Sequence, residues 1–115
     1  MINRQRVEVL FSVAENDKVK IKAFLADALS HHFGGLTFSE VEGVWRDDGN
    51  DFKDFYSGEL VTEITLCIMI SIQPDQTALC IELVKKYMIE LAKHFNAFSA
   101  VHLETYTTQE FHFTL

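Results

Sequence analysis

Apolar positions recur along this chain with two alternating periods, and their order predicts the architecture. Val7, Val9, Phe11 and Val13 alternate with Glu8, Leu10 and Ser12. A period of two with branched and aromatic side chains predicts a first strand over Val7–Val13, buried on one face. Asn16 or Asp17 then offers a side-chain acceptor to the free amides of a helix start. Ile21, Phe24, Leu25, Ala28, Leu29 and Phe33 form one helical stripe, and Gly34-Gly35 supplies the residue that ends it without a Cβ clash. A second strand is predicted over Leu36–Arg46. Glu40, Glu42 and Gly43 spoil its alternation, which suggests a bulge near Gly43. Asp47-Asp48-Gly49-Asn50 has turn chemistry, and residues 51–58 prolong the connection.

The third strand, Glu59–Ile72, has the plainest pattern. Leu60, Ile64, Leu66, Ile68, Ile70 and Ile72 fall on one face, with Val61, Glu63, Thr65, Cys67, Met69 and Ser71 on the other. Pro74-Asp75 breaks it and starts a second helix, capped by Asp75. Cys80, Val84, Tyr87, Met88, Leu91 and Phe95 make that helix amphipathic, and Asn96 is its stop. The last strand runs from Ala100 to about Phe113, with Val101 and Leu103 opposite His102, Glu104 and Tyr106. The order βαββαβ has one common compact solution. It is an α+β, ferredoxin-like fold: a four-stranded antiparallel sheet in the order 4-1-3-2, with both helices on one face because both crossovers are right-handed.

Length and composition set bounds on this picture. At 115 residues the chain is the size of a single domain, 1–115, and 48% hydrophobic content excludes a disordered tract. The net charge is −7, with 17 acidic against 10 basic residues, so nucleic acid and anionic membrane surfaces are not expected partners. No apolar run is long enough to span a bilayer and no secretory h-region follows the N-terminus, so a cytoplasmic protein is expected. Cys67 and Cys80 lie in apolar segments and form no disulfide framework. Six of the ten Phe fit the core: Phe11, Phe24, Phe33, Phe38, Phe95 and Phe111.

The sheet face without helices should carry Arg6, Glu8, Leu10, Ser12, Val61, Glu63, Thr65, Cys67, Met69, His102, Glu104 and Tyr106. Half apolar, it suits an interface between copies, so a homo-oligomer (dimer or trimer) through that face is expected. Glu8, Glu63, His102 and Glu104 are the candidates for acid–base chemistry, because the first strand lies between the third and fourth. Cross-strand pairing of Arg6, Glu8, His102 and Glu104, with one another or with a partner subunit, is the plainer reading. No spacing matches a metal motif, and neither a metal nor a cofactor is expected. Asp47, Asp48, Asp51 and Asp54 lack the order of a calcium loop. His31, His32 and His94 lie in last helical turns, where imidazolium suits the helix dipole. His112 joins His102 on one face only if the last strand stays regular.

The unusual local feature is residues 47–58. Phe52, Phe55 and Tyr56 sit among Asp51, Lys53 and Asp54, next to Trp45 and Arg46. Aromatics in an exposed loop are contact residues more often than decoration. With Tyr106, these residues are the candidates for a ligand or subunit contact.

Two resemblances follow from these segments. Gly35-Leu36-Thr37 with Glu42-Gly43-Val44-Trp45-Arg46-Asp47 resembles the G-[LF]-T…G-x-W-R segment of a family of small bacterial domains of unknown function. Phe95–Val101 is similar to that family's stretch before the last strand. The connection after Trp45 is longer here, and the family implies a fold and nothing catalytic. More loosely, length, strand order and the 47–58 loop resemble the nitrogen-regulatory PII-like proteins. That likeness implies a trimer with a long β2–β3 loop and a small-molecule ligand held between subunits. No nucleotide signature matches residue by residue. The expected function is a non-enzymatic ligand-binding or regulatory module using the loop and the subunit cleft. The alternative is a small cofactor-free enzyme of the dimeric α+β barrel type using His102, Glu104 or Glu63. A purely structural assembly subunit is a third class.

Overall fold

A computed structural model describes residues 2–49, 55–95 and 100–115. The elements are β1 (Ile2–Ser12), α1 (Lys18–Phe33), β2 (Thr37–Arg46), β3 (Leu60–Ile72), a one-turn 3-10 helix (Pro74–Gln76), α2 (Thr77–His94) and β4 (Val101–Glu110). The strands form one antiparallel sheet in the order β2-β3-β1-β4, which is the expected 4-1-3-2 read from the other edge. The fold is ferredoxin-like α+β.

One hydrophobic cluster holds the layers together. Val7, Val9, Phe11 and Val13 alternate onto the helix side of β1, and Leu66, Ile68, Ile70 and Ile72 do so on β3. Against them pack Ile21, Leu25 and Leu29 of α1 and Cys80, Val84, Met88 and Leu91 of α2. The pairs Val7↔Ile70, Val9↔Ile68 and Phe11↔Leu66 place apolar side chains directly opposite one another in the two central strands. Removing this surface from water is the main force favouring the fold. The helix-facing and open faces are those expected, except that Leu60 is exposed, beyond the cover of the helices.

Several local expectations are corrected. β1 begins at Ile2, five residues before the apolar alternation starts, because Ile2–Arg6 find backbone partners on β4. That pairing is nonlocal and leaves no apolar period in the sequence. Asp17 stands at the α1 N-cap, but its side chain makes no capping hydrogen bond. Gln73 and Gln76 form the capping box at the second crossover, where Asp75 was expected to act, and α2 starts only at Thr77. The expected stop, Asn96, lies outside the described residues, as does Phe52. Gly34 does end α1, at φ 84°, with its N–H donating to Ser30 O at 2.9 Å.

No bulge occurs at Gly43, for β2 pairs with β3 in unbroken register from Thr37↔Met69 to Arg46↔Leu60. The glycine is needed for another reason: a Cβ there would run into the Trp45 ring and the Thr65 hydroxyl. Of the Phe assigned to the core, Phe11 is buried, and Phe33, Phe38 and Phe95 pack partly buried against it. Phe24 and Phe111 are exposed. Phe24 instead meets Tyr87 edge-on across the two helices, with ring centroids 6.0 Å apart. β4 ends at Glu110, so His112 does not continue the strand that carries His102.

Cys80 is fully buried, and burial pushes its thiol from the usual 9.0 up to about 11. Below pH 9 the thiol is protonated in both folded and unfolded chains, and stability does not depend on it. As pH rises from 9.0 towards 11, the unfolded chain loses a proton that the folded chain keeps, so stability falls. The expected fall is at most about 1.4 kcal/mol per pH unit. Urea unfolding of wild type and Cys80→Ala across this range measures it. The wild-type curve should drop more steeply, and parallel curves would refute the assignment.

Candidate functional site

The open sheet face has two ends of different character. At one end the even positions of β1 project Arg4, Arg6 and Glu8 between β3 and β4. Arg4 ties three strands together. Its Nη2 donates to Ser71 O at 2.8 Å, its Nε donates to Ser71 Oγ at 3.3 Å, and its Nε lies 3.1 Å from Glu110 Oε2. Arg6 Nη2 donates to Met69 Sδ at 3.0 Å. Among the described residues no carboxylate lies within ion-pair distance of Arg6.

Glu8 is the half-buried acid of this end. It accepts two long hydrogen bonds, from Cys67 Sγ at 3.8 Å and from Tyr106 Oη at 3.5 Å. Its cross-strand partner is Glu104. Like charges directly opposite destabilise a strand pair. Burial pushes the Cys67 thiol up, Glu8 adds to that through its charge and hydrogen bond, and the Ser39 hydroxyl works the other way. The thiol is therefore a structural donor and not an activated nucleophile.

Of the proposed acid–base set, the structure brings Glu8, Glu104 and His102 onto neighbouring rungs. His102 Nε2 lies 3.3 Å from Glu104 Oε1, and both side chains are exposed. Glu63 stands apart, six residues along β3 from Met69, the partner of Glu8. That separation is about 20 Å at the usual strand rise. Glu63 instead lines a groove of about 440 Å³ along the β2–β3 hairpin, together with Glu40, Val41, Glu42, Thr62 and Ile64. Among the described residues no three His, Cys, Asp or Glu side chains gather as a metal-binding group.

The other end of the face belongs to Trp45. Its ring lies over Gly43 beside Thr65, and it remains 39% exposed. Thr65 is only 3% exposed, and among the described residues its Oγ1 has no hydrogen-bond partner. A buried hydroxyl left unpaired costs about 1–3 kcal/mol. Arg46 points to the helix side of the sheet, where its Nη1 donates to Gly58 O at 3.2 Å. Asp47 N donates to Glu59 O and Ser57 N donates to Asp48 Oδ2, both at 3.0 Å, and these bonds close the loop at its base. A Cβ at Gly58 would meet the Asp47 and Asp48 carboxylates, which would have to move aside. Beyond the base, Phe55 is 79% exposed and Tyr56 is also exposed.

Trp45 and Tyr106 lie on the two outer strands at opposite corners of the face, so one chain does not unite all the candidate ligand residues. Arg4, Met69 and Ser71 were missed as partners at the first end. Their signal was the charged period of two, Arg4-x-Arg6-x-Glu8, which prolongs β1 upstream on the open face.

The fold is shared with solved proteins. No protein-family model matches the chain, and none of the curated proteins does. A GlnK–ATP complex from Bacillus subtilis matches with a TM-score of 0.52 at 18% identity, over 92% of this chain and 82% of that one. CutA1 from Oryza sativa matches with 0.57 at 12% identity, over 96% and 84%. A phage SAM lyase in complex with S-methyl-5′-thioadenosine matches with 0.56 at 16% identity, over 93% and 90%. At these identities the likeness shows the fold. The PII-like resemblance stands at that level, and the G-L-T…G-x-W-R likeness has no family model behind it. Among the described residues no helix is long and apolar enough to cross a membrane.

Proposed function

We propose that this protein is a ligand-binding or regulatory module that works as a homo-oligomer, with the open sheet face covered by another copy and a small molecule held near the β2–β3 loop. The observation that carries the reading is the Trp45 corner: an exposed indole and an unpartnered buried hydroxyl, Thr65 Oγ1, at the end of the hairpin where Phe55 and Tyr56 are exposed. Thr65 Oγ1 is closed off from solvent beside the Trp45 ring, so a ligand reaches it by displacing that ring, and the hydroxyl's lack of a partner among the described residues favours the exchange. An indole next to it offers a stacking surface for a planar ring.

Two of the similar structures are complexes with an adenine nucleoside or nucleotide, which makes that class the first to test. The charge near the hairpin narrows it. Asp47 and Asp48 stand at the loop base, and Glu40, Glu42 and Glu63 line the adjacent groove. This field disfavours a polyphosphate and favours a neutral or cationic nucleoside. Isothermal titration with 5′-methylthioadenosine, S-adenosylmethionine and ATP tests it. The first two should bind more tightly than ATP, and Trp45→Ala should weaken them at least about fivefold, the lower end for loss of one base–aromatic stack. Absence of binding by all three, or a Trp45→Ala protein that binds unchanged, would reject this site. Light scattering at micromolar concentration tests the assembly, and a monomer would reject it.

A further inference from the structure

Residues 111–115, Phe-His-Phe-Thr-Leu, follow β4 without joining the sheet. Phe111 and Phe113 are 69% and 76% exposed, and Leu115 is exposed too. By number they follow the odd, helix-side positions of β4, and all three are exposed; pairing of this segment with another strand would extend the alternation of β4 to them. Elsewhere on the same edge, α2 and β4 leave a groove of about 520 Å³ lined by Ile81, Val84, Met88, Ile89, Val101 and Leu103, together with the polar Lys85 and His102. The three apolar side chains and the mainly apolar groove match in character, yet one chain cannot bring them together. Leu103 lies seven residues back along β4 from Glu110, about 23 Å. Residues 111–115 span at most about 18 Å when fully extended, and they leave the strand in the opposite direction.

The two edges of the sheet also differ. β2 carries Glu40, Glu42, Gly43 and Arg46, and Lys18 reaches from α1 to Glu40 at 3.1 Å. Charges and a covering side chain are the usual guards of a free edge. β4 reads Val-His-Leu-Glu-Thr-Tyr-Thr-Thr-Gln-Glu, with no Lys, Arg, Pro or Gly. It is the less guarded edge: it carries Glu104 and Glu110 but no basic side chain or strand breaker, and it is rich in strand-forming residues.

We propose that two copies of this chain pair antiparallel through their β4 edges, so that Phe111 and Phe113 of each copy lie over the α2–β4 groove of the other. The residues choose the register. With Tyr106 opposite its own symmetry mate, Phe111 falls opposite Val101 of the other copy and His102 falls opposite Glu110. The first pair is apolar, the second is of opposite sign when the imidazole is protonated, and side chains of the two copies point to matching faces. A shift of one rung in one direction sets Glu104 against Glu110 and His102 against His112. A shift in the other direction leaves Val101 opposite Gln109. The contact is isologous and closed, so it ends at two copies.

This edge contact is separate from covering of the open face, and the two fail separately. The test is light scattering of wild type, Phe113→Asp and Ile89→Asp, with thermal melts as a folding control. Both substitutions are on exposed positions, so the melts should be unchanged while the particle mass falls by half. A second measurement fixes the register: Tyr106→Cys, at the symmetry axis, should give a covalent dimer on mild oxidation, since opposed Cβ atoms lie within disulfide reach. Wild type, whose two cysteines are buried, should not. Unchanged mass in both Asp variants would overturn the proposal. So would a Tyr106→Cys protein that stays uncrosslinked while the wild type is oligomeric.

Discussion

Phe11→Ala should lower the unfolding free energy by about 3–5 kcal/mol, the cost of emptying a buried aromatic site that cannot fully collapse. Phe11 is 2% exposed and lies between Leu66 on β3 and Val101 on β4, so three strands lose packing at once. The surrounding cluster includes side chains from both helices. No single neighbour can move in without pulling its own element away from the sheet. Urea denaturation measures the loss. The contrast is Phe111→Ala in the monomeric state, which should stay within about 0.5 kcal/mol of wild type because the residue is largely exposed in its own chain. A Phe11→Ala protein destabilised by less than about 1 kcal/mol would mean that the core is not packed as described.

Gly43→Ala should cost about 1–3 kcal/mol, although alanine is ordinarily the milder choice in a strand. The new Cβ meets the Trp45 ring and the Thr65 side chain, one from the same strand and the other from its neighbour. Thr65 is buried and cannot swing away, so the indole has to move outward. Trp45 is the one tryptophan in the sequence, and its emission should shift to the red as it enters water. Gly35→Ala is the control. Nothing lies within 4 Å of a Cβ there and its backbone carries no positive φ, so it should be neutral or slightly stabilising. Equal effects at the two glycines would show that backbone entropy, and not the indole contact, accounts for Gly43.

The elements that could be read from the sequence are those whose burial repeats locally. β3 and the Val7–Val13 part of β1 have a period of two because every second residue enters the core. In the helices, Ile21, Leu25 and Leu29 and then Cys80, Val84, Met88 and Leu91 fall on single stripes. Elements stabilised by distant backbone partners left no such trace. Ile2–Arg4 is strand because residues of β4 lie beside it, and Phe111 lies beyond the end of β4 at Glu110 and is exposed. The caps failed for a related reason. Asp17 and Asp75 have the right chemistry, but Gln73 and Gln76 satisfy each other, and the first turn of α1 finds no side-chain acceptor at Asp17.

The candidate site divides along the same line. That Glu8, His102, Glu104 and Tyr106 share the open face followed from alternation once the strand order was known. Their distances did not, because alternation assigns a face and leaves position along the strand to the register. The register sets Glu63 about 20 Å from Glu8, brings Cys67 and Tyr106 onto the Glu8 carboxylate, and gives Arg6 a sulfur partner. Gly43 shows the same division in one residue. Its place in a strand was visible in the sequence, yet a bulge was inferred where the ladder is regular. Its purpose became clear only with Trp45 and Thr65 folded around it. Hydrophobic periodicity along the chain thus decided the order of elements, the fold class and the buried face, because burial acts on each residue according to its own side chain. Register, edge exposure and the neighbours of each polar group came from the tertiary structure, because they depend on pairs of residues far apart in the chain.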